Sequence, residues 1–333
     1  MYALLGISIV LAALLTINAL ATLLATMLWR VAAHGAQNWA AEMRSRVLFA
    51  LRLFPTLGAI ACVLALLAPS YIALEPTATT ETVSTKLAAL AVISAIGIAL
   101  ALWRGFASWR ATRHLIADWL DHAEPLKIEG VRIPAYRIRH PFPVIAIVGA
   151  LRPRLFIASQ IFDTLNDEEL AAAVAHERGH LSAFDNLKRA TLRACRDSLA
   201  IVPCGRSLDR AWAEAAEAAA DEYAARRGSG VALDLASALV KIARMVQPHA
   251  KPTMPAIAFL IGEDAGGVIW RVRRLTQLAA PGCSLPARRK LTSPLVFWSS
   301  LVAVVLLLGY AAFNANTLQL MHGAIERIVL LLS

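Results

Sequence analysis

Uninterrupted apolar runs dominate the hydrophobic pattern of this chain. Four of them, at residues 3–29, 53–74, 87–103 and 295–313, contain no charged residue. A membrane-crossing helix takes roughly 20 apolar residues, and core helices of soluble proteins usually keep a polar face, which these runs lack. The first run has no preceding basic residue and exceeds the apolar core of a signal peptide. The pattern predicts four transmembrane helices, the first of which is retained.

Basic residues are distributed very unevenly around these runs. The loop at residues 30–52 and the segment 104–290 together hold 31 of the 33 Lys and Arg residues, and the other two are Lys86 and Arg327. Cytoplasmic segments of membrane proteins carry the excess of positive charge. We therefore predict that both basic segments face the cytoplasm. The N-terminus and the C-terminal tail then lie outside, with the protein in the inner, cytoplasmic membrane.

Composition and charge agree with a membrane protein. The chain is 58% hydrophobic and 17% charged, and its formal net charge is +10, whereas soluble domains average about 25% charged residues. Topology and contact with anionic membrane lipid account for the positive charge. No basic stripe interleaved with aromatic residues predicts direct nucleic-acid binding. The four cysteines form no CxxC pair, so we expect ordinary thiols.

The segment after the third run predicts an α+β domain that is mainly helical. The helix of the third run is expected to continue to about residue 123. After it, alternating or apolar stretches predict strands at 131–139, 143–149 and 154–159. Helical periodicity follows at 166–183, 186–201, 207–227, 231–246 and 270–278. Asn166 and Glu169 predict a capping box at the start of the first of these helices.

These elements divide the chain into three parts. We predict three transmembrane helices with short loops at 1–106 and a cytoplasmic peptidase domain at 107–290. A fourth transmembrane helix with a short amphipathic tail follows at 291–333.

An H-E-x-x-H motif lies inside the helix predicted at 166–183. It consists of His176, Glu177 and His180 with two intervening residues. Positions i and i+4 share one face of a helix, so both imidazoles can reach one metal ion, and Glu177 is placed to act as catalytic base. Two unrelated surface histidines are the alternative interpretation. The motif predicts a zinc metalloendopeptidase that binds one Zn²⁺.

A catalytic zinc site needs a third protein ligand. The residues after His180 lack the histidine of the metzincin extension, so we expect a downstream carboxylate. Glu217 and Asp221 share one face of the helix predicted at 207–227. We predict Glu217 as the third ligand and Asp221 as acceptor of a hydrogen bond from one ligand histidine. Glu214 is the competing ligand, and a solvated acidic face is the alternative for this helix.

Three further predictions concern the surroundings of the zinc. Tyr223 and His249 are the nearest candidates, by residue type, for a side chain that stabilises the transition state. The strand at 143–148 is expected to be either a sheet edge that receives an extended substrate or a plain packing strand. Asp185 is expected to cap a helix end, with a contact to the zinc ligands as the alternative.

A family resemblance is carried by three stretches in chain order: PFPVIAIVGALRPRLFIAS, LNDEELAAAVAHERGHLSAFDN and EAAAD. With three apolar runs before them and one after, this order resembles the BlaR/MecR-type antirepressor membrane zinc metallopeptidases. The resemblance covers roughly residues 1–315 and is most specific at 140–225. It implies a gluzincin fold with the zinc ligands and base named above. It also implies signalling proteolysis of a transcriptional repressor, such as a winged-helix protein, or of the chain itself.

The chain departs from that family after the fourth run. Family members that sense β-lactams continue into a large outer penicillin-binding domain, whereas residues 314–333 allow about one amphipathic helix. We therefore do not expect β-lactam sensing, and a separate sensor partner, the bilayer or the short outer segments would supply the stimulus. HtpX-type quality-control proteases share the zinc motifs but usually place them after two spans, so quality control is the alternative function. The intact Glu177 disfavours a non-enzymatic scaffold.

Overall fold

Three long apolar helices open the chain. The computed structural model describes residues 2–76, 83–199, 205–246, 265–280, 309–310 and 313–332. Helices α1, α2 and α3 are each long and apolar enough to cross a membrane, and they span Tyr2–Ala32, Ala41–Leu74 and Thr85–Leu120. They contain the first three predicted runs. The run at 295–313 lies almost wholly outside the described residues, so the fourth span stays a prediction.

Helix α2 begins earlier than the sequence analysis expected. The interval 30–52, expected to be a loop, holds the end of α1, a short 3₁₀ helix at Gly35–Asn38 and the first turns of α2. These turns pack along the domain that carries the H-E-x-x-H motif, where the backbone N–H of Ala41 donates to Glu222 at 3.2 Å. Charged side chains obscured this part of the helix in the hydropathy pattern. Residues that precede the second apolar run therefore contribute to that domain.

A four-stranded sheet follows α3. Its strands are β1 Glu124–Leu126, β2 Ala135–Ile138, β3 Ile145–Val148 and β4 Arg154–Ala158. The order is β1-β2-β4-β3, with β2 parallel and β3 antiparallel to β4. Strand β1 was not predicted because it is three residues long and contains a proline. Strand β3 lies at one edge of the sheet.

Seven further helices are described. They are α4 Ser159–Thr164, α5 Asp167–Ser182, α6 Asp185–Asp197, α7 Arg206–Ala225, α8 Ser229–Met245, α9 Ala265–Ala279 and α10 Ala315–Leu332. The predicted capping box at the start of α5 is confirmed, since the Asn166 side chain accepts from the Glu169 N–H at 2.8 Å and Glu169 accepts from the Asn166 N–H at 3.0 Å. The short helix α4 was not predicted. Strands β3 and β4 pack with α5 and α8 in one apolar core.

Helices α6 and α7 form a hairpin whose tip reaches the membrane helices. We call Ser198, Leu199 and Gly205 the hairpin tip; residues 200–204 between them lie outside the described residues. A Cβ at Gly97 of α3 would press against the carbonyl oxygen of Ser198, well inside van der Waals contact. A Cβ at Gly205, whose φ is +85°, would lie 2.9 Å from Arg52 Nε and 3.0 Å from Thr22 Cγ2. The tip therefore touches all three membrane helices.

Gly97→Ala is expected to destabilise the docked hairpin. The new methyl group would collide with backbone rather than with a flexible side chain, and such overpacking costs about 1–3 kcal/mol. The matched control is Gly105→Ala on the same helix, where nothing lies within 4 Å and alanine adds helix propensity. Thermal unfolding of the purified full chain in detergent should show a lower midpoint for Gly97→Ala alone. Equal midpoints for both variants would contradict the docking.

Candidate active site

Helices α5 and α7 cross closely enough to bring three candidate ligands together. Gly179 of α5 faces Ala220 of α7, and a Cβ at Gly179 would lie 2.9 Å from the Ala220 Cα. A larger residue at that position would separate the two helices. Because the H-E-x-x-H motif is on α5 and Glu217 is one turn from Ala220 on α7, this close approach is what brings them into contact.

His176, His180 and Glu217 form one compact cluster. One ligand atom from each lies within 4.8 Å of the others. The two Nε2 atoms are 3.2 Å apart, and the Glu217 carboxylate oxygens are 3.6 Å from His176 Nε2 and 3.5 Å from His180 Nε2. Two imidazoles and one carboxylate are a ligand set used by catalytic zinc sites. The structure therefore places together the three residues that the sequence predicted as ligands.

Each histidine of the cluster is held by a carboxylate at its other nitrogen. Asp221 Oδ1 lies 2.9 Å from His176 Nδ1, and Asp185 Oδ2 lies 2.8 Å from His180 Nδ1. An ionised carboxylate only accepts hydrogen bonds, so each Nδ1 carries a proton and donates it. In the neutral imidazoles each Nε2 then carries a free lone pair, and these atoms lie 3.6 Å (His176) and 3.5 Å (His180) from a Glu217 oxygen. Glu217 Oε2 is buried and has no hydrogen-bond partner among the described residues, although the guanidinium of Arg271 forms an ion pair with it at 3.3 Å. This electron-rich centre fits a metal cation.

The pKa shifts reflect the same concentration of negative charge. Burial alone would lower the pKa of His180, but the neighbouring Glu217 and Asp185 carboxylates outweigh it and raise the pKa to about 10. Burial opposes ionisation of Glu217. Nevertheless His180, His176 and the guanidinium of Arg271 hold its pKa well below the usual range. In the absence of metal, a proton on His180 thus balances part of the negative charge of the neighbouring carboxylates.

Asp185 contacts the cluster instead of capping a helix end as the sequence analysis favoured. The preceding residue, Phe184, takes the left-handed conformation with φ at 56°, which ends α5 abruptly and starts α6 at the next residue. The Asp185 carboxylate thereby turns back to His180. No periodicity in the sequence marks this reversal, and Phe184 is an unusual residue for a conformation that favours glycine.

Arg271 of α9 also belongs to the site and was not predicted. Its side chain is 4% exposed and donates to both oxygens of Asp221, at 3.1 Å from Nε and 2.7 Å from Nη2. Nη1 lies 3.3 Å from Glu217 Oε2. Burial opposes the charge on Asp221, but Arg271 and His176 hold its pKa at about 2. The sequence indicated a basic helix here but gave no sign of its partner.

Glu177 lies against β3, the edge strand of the described sheet. Its Oε2 accepts from the backbone N–H of Ile147 on β3 at 3.1 Å, and the side-chain amide of Asn186 donates to the Ile147 carbonyl at 2.8 Å. Burial raises the pKa of Glu177 above its ordinary value. A recess beside it is lined by Ala146, Ile147, Glu177, His180, Leu181, Asn186, Arg189 and Glu217. Glu177, two of the three candidate ligands and the edge strand therefore share one recess, whereas His176 is buried behind it.

The part of the chain that forms this site matches a protein-family model. Residues 145–248 match the model of peptidase family M48. The match begins at the edge strand and includes the H-E-x-x-H motif and the Glu217 and Asp221 helix, and it covers less than half of the chain. It supports a metallopeptidase. Comparison with curated proteins and with solved structures gave no match.

The remaining predicted site residues lie elsewhere or outside the described structure. Tyr223 lines a separate cavity of about 470 Å³ together with Ser182 and Arg227, and it is absent from the lining of the recess beside Glu177. Glu214 is exposed and is not in the ligand cluster. His249 is outside the described residues. Arg189 and Asn186, which do line the recess, had no recognisable signal because their partners are distant in sequence.

Asp185→Ala is expected to weaken zinc binding by about 10–100-fold, the usual effect of removing a carboxylate that orients a ligand histidine. Without Asp185, the His180 ring loses the acceptor that fixes its tautomer. Asp163→Ala, an exposed change on α4, is the control. Zinc affinity of the purified full chain, measured by competition with a chromophoric chelator, should fall only for Asp185→Ala. Unchanged affinity would show that the contact is incidental.

Proposed function

We propose that this chain is a membrane-anchored zinc endopeptidase that cleaves protein substrates at the cytoplasmic side of the inner membrane. The observation that carries the proposal is the convergence of His176, His180 and Glu217 beside a buried Glu177. Structural zinc sites need no such carboxylate next to their ligands. The match to peptidase family M48 over residues 145–248 supports the same conclusion.

The chain's own residues supply base, orientation and substrate contacts. Zinc, when held by the three ligands, would polarise the scissile carbonyl and acidify a water molecule. Glu177 accepts the proton from the attacking water and delivers it to the leaving amine, and its raised pKa suits both roles. Asp221 and Asp185 keep the two imidazoles in the orientation that directs Nε2 to the ion. Arg189 lines the recess, with Nη2 3.9 Å from Glu217 Oε1, and would stabilise developing negative charge.

Strand β3 offers a docking edge for an extended substrate. It is the outer strand of the described sheet, and the N–H and C=O groups of Ile147 point away from β4, toward Glu177 and Asn186. A peptide that adds alongside β3 would replace the Glu177 and Asn186 contacts to Ile147 and place its backbone next to Glu177 and the candidate ligands. Recognition of the substrate would then depend mainly on hydrogen bonds to its backbone. The shape of the recess would set the preferences for its side chains.

The site lies close to the membrane. Glu217 is 12 residues after Gly205 of the hairpin tip, which corresponds to about 18 Å along α7. Because the tip touches all three membrane helices, the site can reach segments near the bilayer surface. This distance suits both a membrane-protein substrate and a soluble regulator recruited to the surface.

We favour signalling proteolysis of a transcriptional repressor, of the chain itself, or of both, as the BlaR/MecR-type resemblance implies. The test compares new protein N-termini in cells that express the wild type with those in cells that express Glu177→Ala. One or a few cut sites in a DNA-binding regulator or in this chain would support signalling. Many cut membrane proteins would instead support the HtpX-type quality-control function.

Three outcomes would overturn all or part of the proposal. Identical N-termini in both strains under all tested stresses would remove the peptidase activity from this chain. New N-termini confined to segments on the outer side of the membrane would reverse the proposed orientation. A zinc-loaded chain without any cut site would leave only the scaffold alternative.

A further inference from the structure

A cavity of about 330 Å³ lies where the cytoplasmic domain meets the membrane helices. Its lining combines three arginines and one carboxylate: Arg104, Arg196, Arg206 and Asp209. Arg104 belongs to α3, Arg196 to the end of α6, and the other two to the start of α7. The cavity therefore lies beside the hairpin tip and is remote in sequence from the H-E-x-x-H motif.

Positive charge exceeds negative charge around this cavity. Arg104 and Arg196 share a single carboxylate, Asp197, at 3.1 and 3.4 Å. Asp209 is paired with Arg52, which does not line the cavity. Arg206 is exposed and makes no ion pair or hydrogen bond within the described part of the chain. At least one guanidinium of the lining is thus available to an external anion.

The arginine behind the lining is Arg52, and it is incompletely paired. Its side chain is fully buried, and Nε donates to Asp209 Oδ1 at 3.1 Å. Nη1 and Nη2 are buried and have no hydrogen-bond partner among the described residues. A buried cation without its full set of partners is costly. An anion in the adjacent cavity would offset part of that cost.

Aromatic side chains mark the level of this cavity in the membrane. Trp103, Phe106 and Trp109 of α3 flank Arg104 and are 65%, 59% and 53% exposed. Exposed tryptophan and other aromatic residues on a membrane helix gather at the lipid headgroup level. The guanidinium of Arg113 lies over the Trp109 ring, 4.9 Å from its centroid. The anions available at this level are phospholipid phosphates.

We propose that the cavity binds the headgroup of an anionic phospholipid, whose phosphate pairs with Arg104, Arg196 and Arg206. Basic pockets on the cytoplasmic side of membrane helices bind anionic lipid headgroups in this way. The lipid would join α3 to the α6–α7 hairpin, which carries Asp185 and Glu217 of the zinc site. The site is separate from the peptidase recess, and its existence does not depend on the proposed activity.

Native mass spectrometry of the full chain in an uncharged detergent tests this binding. The probes are dioleoyl phosphatidylglycerol, dioleoyl phosphatidylcholine and inorganic phosphate, each titrated separately. Wild-type protein should retain phosphatidylglycerol in preference to the other two. Arg206→Gln should weaken that retention about fivefold, since one arginine near the headgroup contributes on that scale. Arg132→Gln, an exposed arginine outside the cavity, should bind like the wild type.

Arg206→Gln breaks no described contact, so its fold can be checked directly. Without added lipid its unfolding midpoint should equal that of the wild type, and phosphatidylglycerol should raise the wild-type midpoint more. Equal retention of phosphatidylglycerol by wild type and Arg206→Gln would overturn the proposal. So would equal retention of both lipids, or binding of inorganic phosphate that the variant loses while lipid binding is unaffected.

Discussion

Glu177→Gln is expected to reduce peptide hydrolysis by about 10²–10⁴-fold, the usual contribution of a positioned general base, while zinc binding persists. The amide keeps the size of the carboxylate but cannot accept a proton from water. Glu177 is not among the three clustered ligands, so the metal should remain. Hydrolysis is measured with the purified full chain and an unfolded protein substrate, and zinc content by elemental analysis of the same samples.

Glu168→Gln provides the matched control, because Glu168 is exposed on the first turn of the same helix. It should retain wild-type activity. If Glu177→Gln lost zinc together with activity, the residue would be part of the binding site instead of the base. If it kept both, another group would have to take the proton, and the assignment of the H-E-x-x-H motif as a catalytic element would fail.

The sequence predicted those parts of the site that depend on local spacing. His176 and His180 are one helical turn apart, and Glu217 and Asp221 are also one turn apart, so each pair shares a face whatever the rest of the fold does. The capping box at Asn166 depends on three-residue spacing and was equally visible. These local patterns were sufficient to propose the ligands and the base.

The residues that the sequence missed act through contacts that are distant along the chain. Arg271 reaches Asp221 across 50 residues, and Asn186 reaches Ile147 across 39 residues. A single arginine in a basic helix resembles any solvated cation until its partner is known. Asp185 is close to His180 in sequence, but its contact depends on the left-handed conformation of Phe184, which the residue type disfavours.

Charged residues also prevented the sequence from showing where helix α2 begins. Hydropathy placed the start of the second span after Arg52, because the preceding turns carry Glu42 and several arginines. The structure continues the helix through that interval and packs it against α7, where Arg52 meets Asp209. Apolar length thus identifies the part of a helix that crosses the membrane, and not the part that continues into a folded domain.

Arg271→Met is expected to lower the stability of the metal-free chain by about 3–5 kcal/mol, because it leaves Asp221 as a buried charge without its cation. Asp221 is fully buried and receives two hydrogen bonds from Arg271. For a domain of this size the unfolding midpoint should fall by roughly 6–20 °C. Arg273→Met, an exposed change on the same helix, should have a small effect. Thermal unfolding of the full chain in detergent with a chelator measures both.

The pH dependence distinguishes loss of this ion pair from a simple packing defect. The pKa of Asp221 is held at about 2, below its ordinary 3.8, so the stabilisation is present above about pH 4 and is lost as the pH falls toward 2. Without Arg271, the pKa of Asp221 should rise, because burial is then opposed by His176 alone, and the acid-induced loss between about pH 4 and 2 should shrink or disappear. The double variant Asp221→Asn/Arg271→Met removes both charges and should be more stable than Arg271→Met alone. A double variant that is no more stable, with an unchanged acid profile, would show that Arg271 acts through packing alone.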